Sequence, residues 1–168
     1  MKKHEVLFLN LSELPVSNMR SELETMLNIP VHEVKLQVSI NLGAPNGCYQ
    51  QIVNLIDTHI VQIDPNMYVA KWVGSSDGSV SLRDQLSKYE FVMMIPPALS
   101  IAAVYVVNEI HATTNTLPFI LELDKIKEHN GALGVNISYK LKRIRSLEKE
   151  KLITRNRRSN GSEEKVEI

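Results

Sequence analysis

Two apolar runs in this chain end in residues suited to holding a ligand. Val6–Leu9 leads into Asn10, Leu11 and Ser12, and Phe91–Ile95 leads into Pro96, Pro97 and Ala98. Asn10 offers an amide that both donates and accepts. Ser12 offers a hydroxyl that donates to a phosphate, aided by the amino end of the helix expected next, where unpaired N–H groups and the dipole favour anions. The alternative is that both residues shape the turn and cap that helix. Pro96 and Pro97 remove donors and fix φ, giving a rigid exit that a flat ring approaches closely; the alternative is a plain helix start. A third element, Asn41–Gly47 (NLGAPNG), supplies Gly43, Asn46 and Gly47 for positive φ, with Gln50 in the first turn of the following helix. It reads as a lid or rim, or as a bare connection.

Signatures of the common enzyme classes are missing. NLSELP stands where a G-x-G-x-x-G dinucleotide fingerprint would follow the first strand, and no G-x-x-x-x-G-K-[ST] loop occurs. No G-x-S-x-G elbow is present. His32, His59 and His129 are scattered, without metal-ligand spacing. No catalytic set, metal site or cofactor is therefore expected. Cys48 has no basic residue near it in sequence to lower its pKa, and reads as a small buried side chain rather than a nucleophile. His111 falls at the carboxyl end of a helix, where the dipole favours a cation. It lies roughly 20 Å from Pro96 at ~1.5 Å rise per residue, too far to serve the same mouth. Trp72 reads as a packing residue.

The elements that position these groups follow from hydrophobic periodicity. His4–Leu11 reads as a central buried strand. Val16, Met19, Leu23, Met26 and Leu27 recur at helical spacing, with Ser17 or Asn18 as caps and Pro30 beyond the end. Val31–Ile40 alternates apolar and polar residues, which predicts a half-buried strand nearer the sheet edge. Tyr49, Ile52, Val53, Ile56 and Ile60 predict an amphipathic helix. Between Asp64 and Lys88 the pattern weakens to a short edge strand at Tyr68–Val73 and a loop at Gly74–Ser81. Phe91–Leu123 then forms a βαβ unit, whose covered strands need continuous apolar runs. The Asn-Gly of Glu128–Gly134 predicts a hairpin between Phe119–Lys127 and Val135–Ile144, followed by a short basic helix at Ser146–Ile153. The sum is an α/β fold: a Rossmann-like three-layer sandwich with a mostly parallel central sheet and a C-terminal β-hairpin. One domain spans residues 1–153, and 154–168 is a charged tail expected to be disordered.

Ala98–Ile110 is apolar around nearly its whole circumference, interrupted only by Ser100, Asn108 and Glu109. Such a helix is covered on its outer side too, either by a second subunit in an isologous contact or by the hairpin and C-terminal helix of its own chain. Formal charge is zero, yet unevenly spread. Lys140–Arg158 holds nine Lys/Arg against Glu148 and Glu150, and the preceding 139 residues hold nine against fourteen Asp/Glu. The basic segment reads as a polyanion contact or a solvated extension; Tyr139 precedes it and no aromatic is interleaved within it, so base stacking is unsupported. A single cysteine, no signal-peptide pattern and no apolar helix of spanning length lead to a soluble, cytoplasmic expectation.

Four motifs in order carry a resemblance: Leu9-Asn10-Leu11-Ser12, Pro96-Pro97-Ala98, His111, and Pro118-Phe119-Ile120-Leu121. Over roughly Glu5–Arg145 the chain resembles small Csx-type CRISPR-associated proteins of type III systems. The resemblance implies a CARF-like Rossmann homodimer that binds cyclic oligoadenylate, the second messenger of this antiviral defence. Two positions depart from the family pattern: His111-Ala112-Thr113 stands for His-Gly-Arg, and Ile95-Pro96-Pro97 for Asn-Pro-Pro. A cyclic tetranucleotide suits a two-fold site built from two copies of the Ser12 and Pro97 loops. Leu11, Pro96 and Asn10 would wall and bond the adenines, within a ligand-binding set of Asn10, Leu11, Ser12, Gly43, Asn46, Gln50, Pro96, Pro97, Ala98 and Ser100. The expected function is sequestration of the messenger. A metal-independent ring nuclease, with Ser12, Gln50 or a second subunit's His111 as candidate groups, and a nucleic-acid-binding or scaffold subunit acting through the basic segment are the alternatives.

Overall fold

Val6, Leu7, Phe8 and Leu9 are each fully buried, so the strand that carries them must be covered on both faces. In a computed structural model of the chain, which describes residues 1–14, 16, 18–35, 40–43, 47–64, 67–71 and 79–161, this strand is β1 (Lys3–Asn10). Side chains alternate across it. Val6 and Phe8 pack with Met19 and Leu23 of helix α1 (Met19–Leu27). Leu7 and Leu9 pack with Ile52 and Ile56 of α2 (Gly47–Ile56), Leu86 of α3 (Leu82–Leu86), and Ala102, Val106 and Ile110 of α4 (Ser100–Thr114). The result is a sheet between two helical layers, a Rossmann-like α/β sandwich.

The other strands are β2 (Val31–Lys35), β3 (His59–Asp64), β4 (Met67–Lys71), β5 (Ser79–Ser81), β6 (Tyr89–Ile95), β7 (Phe119–His129) and β8 (Val135–Ser146). Their order is β5-β3-β4-β2-β1-β6-β7-β8. The five neighbours β4, β2, β1, β6 and β7 are mutually parallel, and β3, β5 and β8 pair antiparallel with their neighbours. Asn10 aligns with Lys35 on one side and Ile95 on the other, which brings the carboxyl ends of three strands to one edge.

Several expectations change. The β2 strand is interior rather than near the edge, because β4 pairs along its far side; His32 and Glu33 are buried with Val31 and Val34, and residues 36–39 lie outside the described set. His32 Nε2 sits 2.9 Å from Glu5 Oε2, and the His32 ring lies 5.3 Å from that of Tyr89, so the buried imidazole has an ionic and an aromatic neighbour. Ile60 belongs to β3 and not to the preceding helix, which ends at Ile56. The stretch of weak pattern yields β4, placed inside the sheet by β3, while Ser79–Ser81 forms β5 where a loop is expected; Trp72 and residues 74–78 are outside the described set. In α1, Asn18 occupies the cap position at φ 62 without a side-chain cap bond, Ser17 is outside the described residues, and Met26 is exposed.

The β7–β8 hairpin pairs from Phe119↔Ser146 to His129↔Val135 and turns through Gly131–Leu133, with Gly131 and Gly134 at positive φ. Helix α5 (Leu147–Gly161) runs past Ile153 into the segment expected to be disordered; from Lys149 to Ser159 every residue is exposed. No helix among the described residues is long and apolar enough to cross a membrane. Burial of β1 sets the stability. Phe8→Ala should cost about 3–5 kcal/mol and Ile137→Ala, on the outer hairpin, under about 0.5 kcal/mol, read from urea midpoints; equal losses would contradict this core assignment.

Candidate functional site

Open α/β sheets bind ligands beyond the carboxyl ends of their strands. Here the exits of β1 and β6 are joined, since the Leu11 backbone N–H donates to the Ile95 carbonyl at 3.2 Å. Pro97, buried, and Ala98 then form a rib between two clefts. One, about 330 Å³, is lined by Leu11, Glu13, Ile40, Leu42, Pro97, Ala98 and Leu99. The other, about 400 Å³, lies between Leu14, the Ile95–Ala98 segment and the Ile120–Leu123 segment with Lys142. The chain folds this way because consecutive prolines hold φ fixed and deny the ladder two donors, so β6 stops and the backbone stays clear of the edge.

Of the sequence-derived set, Leu11, Pro97 and Ala98 line the first cleft and Pro96 to Ala98 the second. Ser12 and Asn10 are partly buried and bond each other: the Ser12 hydroxyl donates to Asn10 Oδ1 at 3.2 Å, which commits its proton to the turn. The helix expected to lend Ser12 its amino end begins only at Met19, so no helix start adjoins the hydroxyl in sequence. Ser100 is exposed, and opens α4 two residues later than the sequence suggests. Asn46 lies outside the described residues.

The rim loop is held by a residue that sequence reasoning passed over. Gln51 Nε2 donates to the carbonyls of Asn41 at 2.7 Å and Gly47 at 3.2 Å, while its Oε1 accepts from the Asn41 N–H at 3.0 Å. Gln50 instead donates along the exposed side of α2 to Asn54 Oδ1 at 2.9 Å. Nothing in a Gln-Gln pair tells which member turns inward; only the helix's rotation decides. Gly43 is not at positive φ; its N–H donates to Asn41 Oδ1 at 2.9 Å in a side-chain turn. Leu42 stays exposed beside the cleft. Glu13 was also missed. It is the one ionisable residue lining this cleft among the described residues.

Other candidates fall elsewhere. His111 lies in the last turn of α4, its buried Nδ1 without a hydrogen-bond partner, and does not line either cleft. Cys48 packs partly buried against the core. Among the described residues no three His, Cys, Asp or Glu are grouped to hold a metal. The densest polar cluster is structural. Arg83 of α3 donates to Asp57 at 2.6 Å, Thr113 Oγ1 at 2.8 Å and Glu109 at 3.0 Å, and the Tyr49 hydroxyl donates to Glu109 at 3.1 Å. Hydrogen bonds to Asp57 and Glu109 raise the Arg83 pKa, so the cation that ties α2, α3 and α4 persists.

At the second cleft Glu122 accepts from Arg143 and Arg145. The Arg143 bond, more than the opposing desolvation and the Arg145 bond, holds its carboxyl below the ordinary value. Comparison of the chain with protein families, characterised proteins and solved structures finds no match.

A depressed carboxylate pKa stabilises the fold above the unfolded value and loses that contribution as pH falls through the folded one. Glu122→Gln should therefore lower the melting temperature at neutral pH, with the gap to wild type closing as the pH drops below 4.5. A gap that stays constant into acid would show that the charge carries none of it.

Proposed function

We propose that the chain binds a cyclic oligoadenylate, the tetramer above all, across a two-fold dimer, and restrains type III CRISPR signalling by sequestering that messenger. The observation that carries this reading is the cleft at the joined exits of β1 and β6, with apolar walls from Leu11, Ile40, Leu42, Pro97 and Leu99 and a single carboxylate, Glu13. Apolar walls with few polar groups suit a flat heteroaromatic ring. The Glu13 carboxylate accepts hydrogen bonds only, which fits the exocyclic amine of adenine. The described lining holds no cation, so phosphates would rest on backbone N–H groups of the Ser12 and Pro97 loops.

In this reading the dimer is built through α4. The helix buries Ala102, Val106 and Ile110 against the sheet, and α2 covers part of its flank through Tyr49 and Tyr105, whose rings are 5.3 Å apart. Ile101 and Val104 remain 43% and 52% exposed. They follow Leu99, a cleft residue, within the first turns of α4. A two-fold contact through them sets two clefts side by side, which matches a ring that is itself two-fold symmetric.

Calorimetric titration with cyclic tri-, tetra- and hexa-adenylate tests the reading. The expected result is one tetramer ring per two chains and no linear product; absence of heat with every ring overturns the ligand, and accumulating linear product overturns sequestration. Ala98→Trp, which places an indole at the rib between the clefts, should weaken binding at least tenfold while the melting curve stays intact. Val104→Glu should remove the α4 contact, read as a lower mass by light scattering, and lose high-affinity binding.

A further inference from the structure

The β7–β8 hairpin outruns the body of the molecule. Only Phe119 and Ile120 pair with β6, so the strands beyond reach roughly 30 Å as a two-stranded arm at ~3.3 Å per residue. Cross-strand partners share a face. The partners Lys125↔Tyr139, Lys127↔Ile137 and His129↔Val135 therefore lie on the face that carries Leu121 and Leu123 into the core beside α1. This core face continues past the last element that covers it among the described residues. Val135 and Ile137 are 51% and 39% exposed along it, and Leu133 at the tip is 93% exposed. Lys125 and Lys127 edge the stripe and have no ion pair among the described residues.

Charge identifies what fits there. Residues 124–158 hold eleven Lys/Arg against four Asp/Glu, whereas residues 1–123 hold seven against twelve. The arm and α5 are thus a basic projection from an acidic body. A nucleic-acid surface is polar and wet, and would leave Leu133, Val135 and Ile137 against water. The partner must be acidic with an apolar residue set among its charges. The outer side of α1 answers this: Glu22 and Met26, four residues apart, are both exposed.

We propose that the arm docks on α1 of a second copy of this chain, Val135 and Ile137 against Met26, and Lys125 and Lys127 beside Glu22. The contact lies on the sheet face opposite α4. It is therefore an interface separate from the α4 dimer, and lets dimers join into larger assemblies.

Sedimentation velocity on the full chain over a range of concentrations tests this. Wild type should form species larger than those left in the double variant Val135→Glu/Ile137→Glu, whose association should weaken at least tenfold with an unchanged melting curve. Glu22→Lys should weaken association as well, and adding Lys125→Glu/Lys127→Glu should restore it. In a Val104→Glu background the arm contact should persist, which separates it from the α4 interface. Identical size distributions for wild type and the arm double variant overturn the proposal. So does unchanged self-association with loss of binding to a mixed-sequence RNA oligonucleotide, which would assign the arm to nucleic acid.

Discussion

Pairing of β1 with a parallel neighbour on each side, and its burial on both faces, is the constraint on which the remaining structure depends. A strand whose Val6, Leu7, Phe8 and Leu9 are all removed from water has no polar face to spare. Its neighbours must therefore be strands, and both sides must be roofed by helices. Burying four such side chains contributes on the order of 1.5–3 kcal/mol each, enough to commit the sheet's centre before its edges are settled. The site inherits this. Both strand exits that frame the first cleft are anchored on β1, one by covalent continuation and one by the Leu11–Ile95 hydrogen bond.

Rigidity and charge are divided between different parts of the molecule. The cleft's rib is proline backbone, and its rim is strapped by Gln51 to the loop carbonyls, so the apolar walls are held without ionic bonds. The ionic networks sit away from the first cleft. Arg83 ties α2, α3 and α4, and Glu122 ties both strands of the hairpin through Arg143 and Arg145. The first cleft's lining holds one titratable group among the described residues. The acidic body and basic arm extend the same division.

Legibility of the sequence followed the strength of its hydrophobic signal. Runs of apolar residues at Val6–Leu9 and Phe91–Ile95 fit only buried strands, and the Pro-Pro and Asn-Gly pairs mark a strand exit and a hairpin turn through their backbone restrictions. Those elements stand where expected. His59–Lys71 did not announce its strands, because Ile60 also continues a helical spacing from Ile52 and Ile56. Alternation in β2 suggested an edge, yet pairing with β4 placed it inside. The basic C-terminal segment lacks the apolar content that signals order, and its helix extends regardless.

By itself the sequence determined the fold class, the centre of the sheet and the edge at which the exits of β1 and β6 meet, because burial and backbone restriction are properties of residue type and spacing. Tertiary structure alone decided which side chains meet there. Leu11 and Glu13 reach the cleft while Gln50 and Ser100 do not line it, and Gln51 rather than Gln50 holds the rim. Those outcomes depend on helix rotation, strand register and where each helix begins, and a shift of one residue in any of them changes the face a side chain occupies.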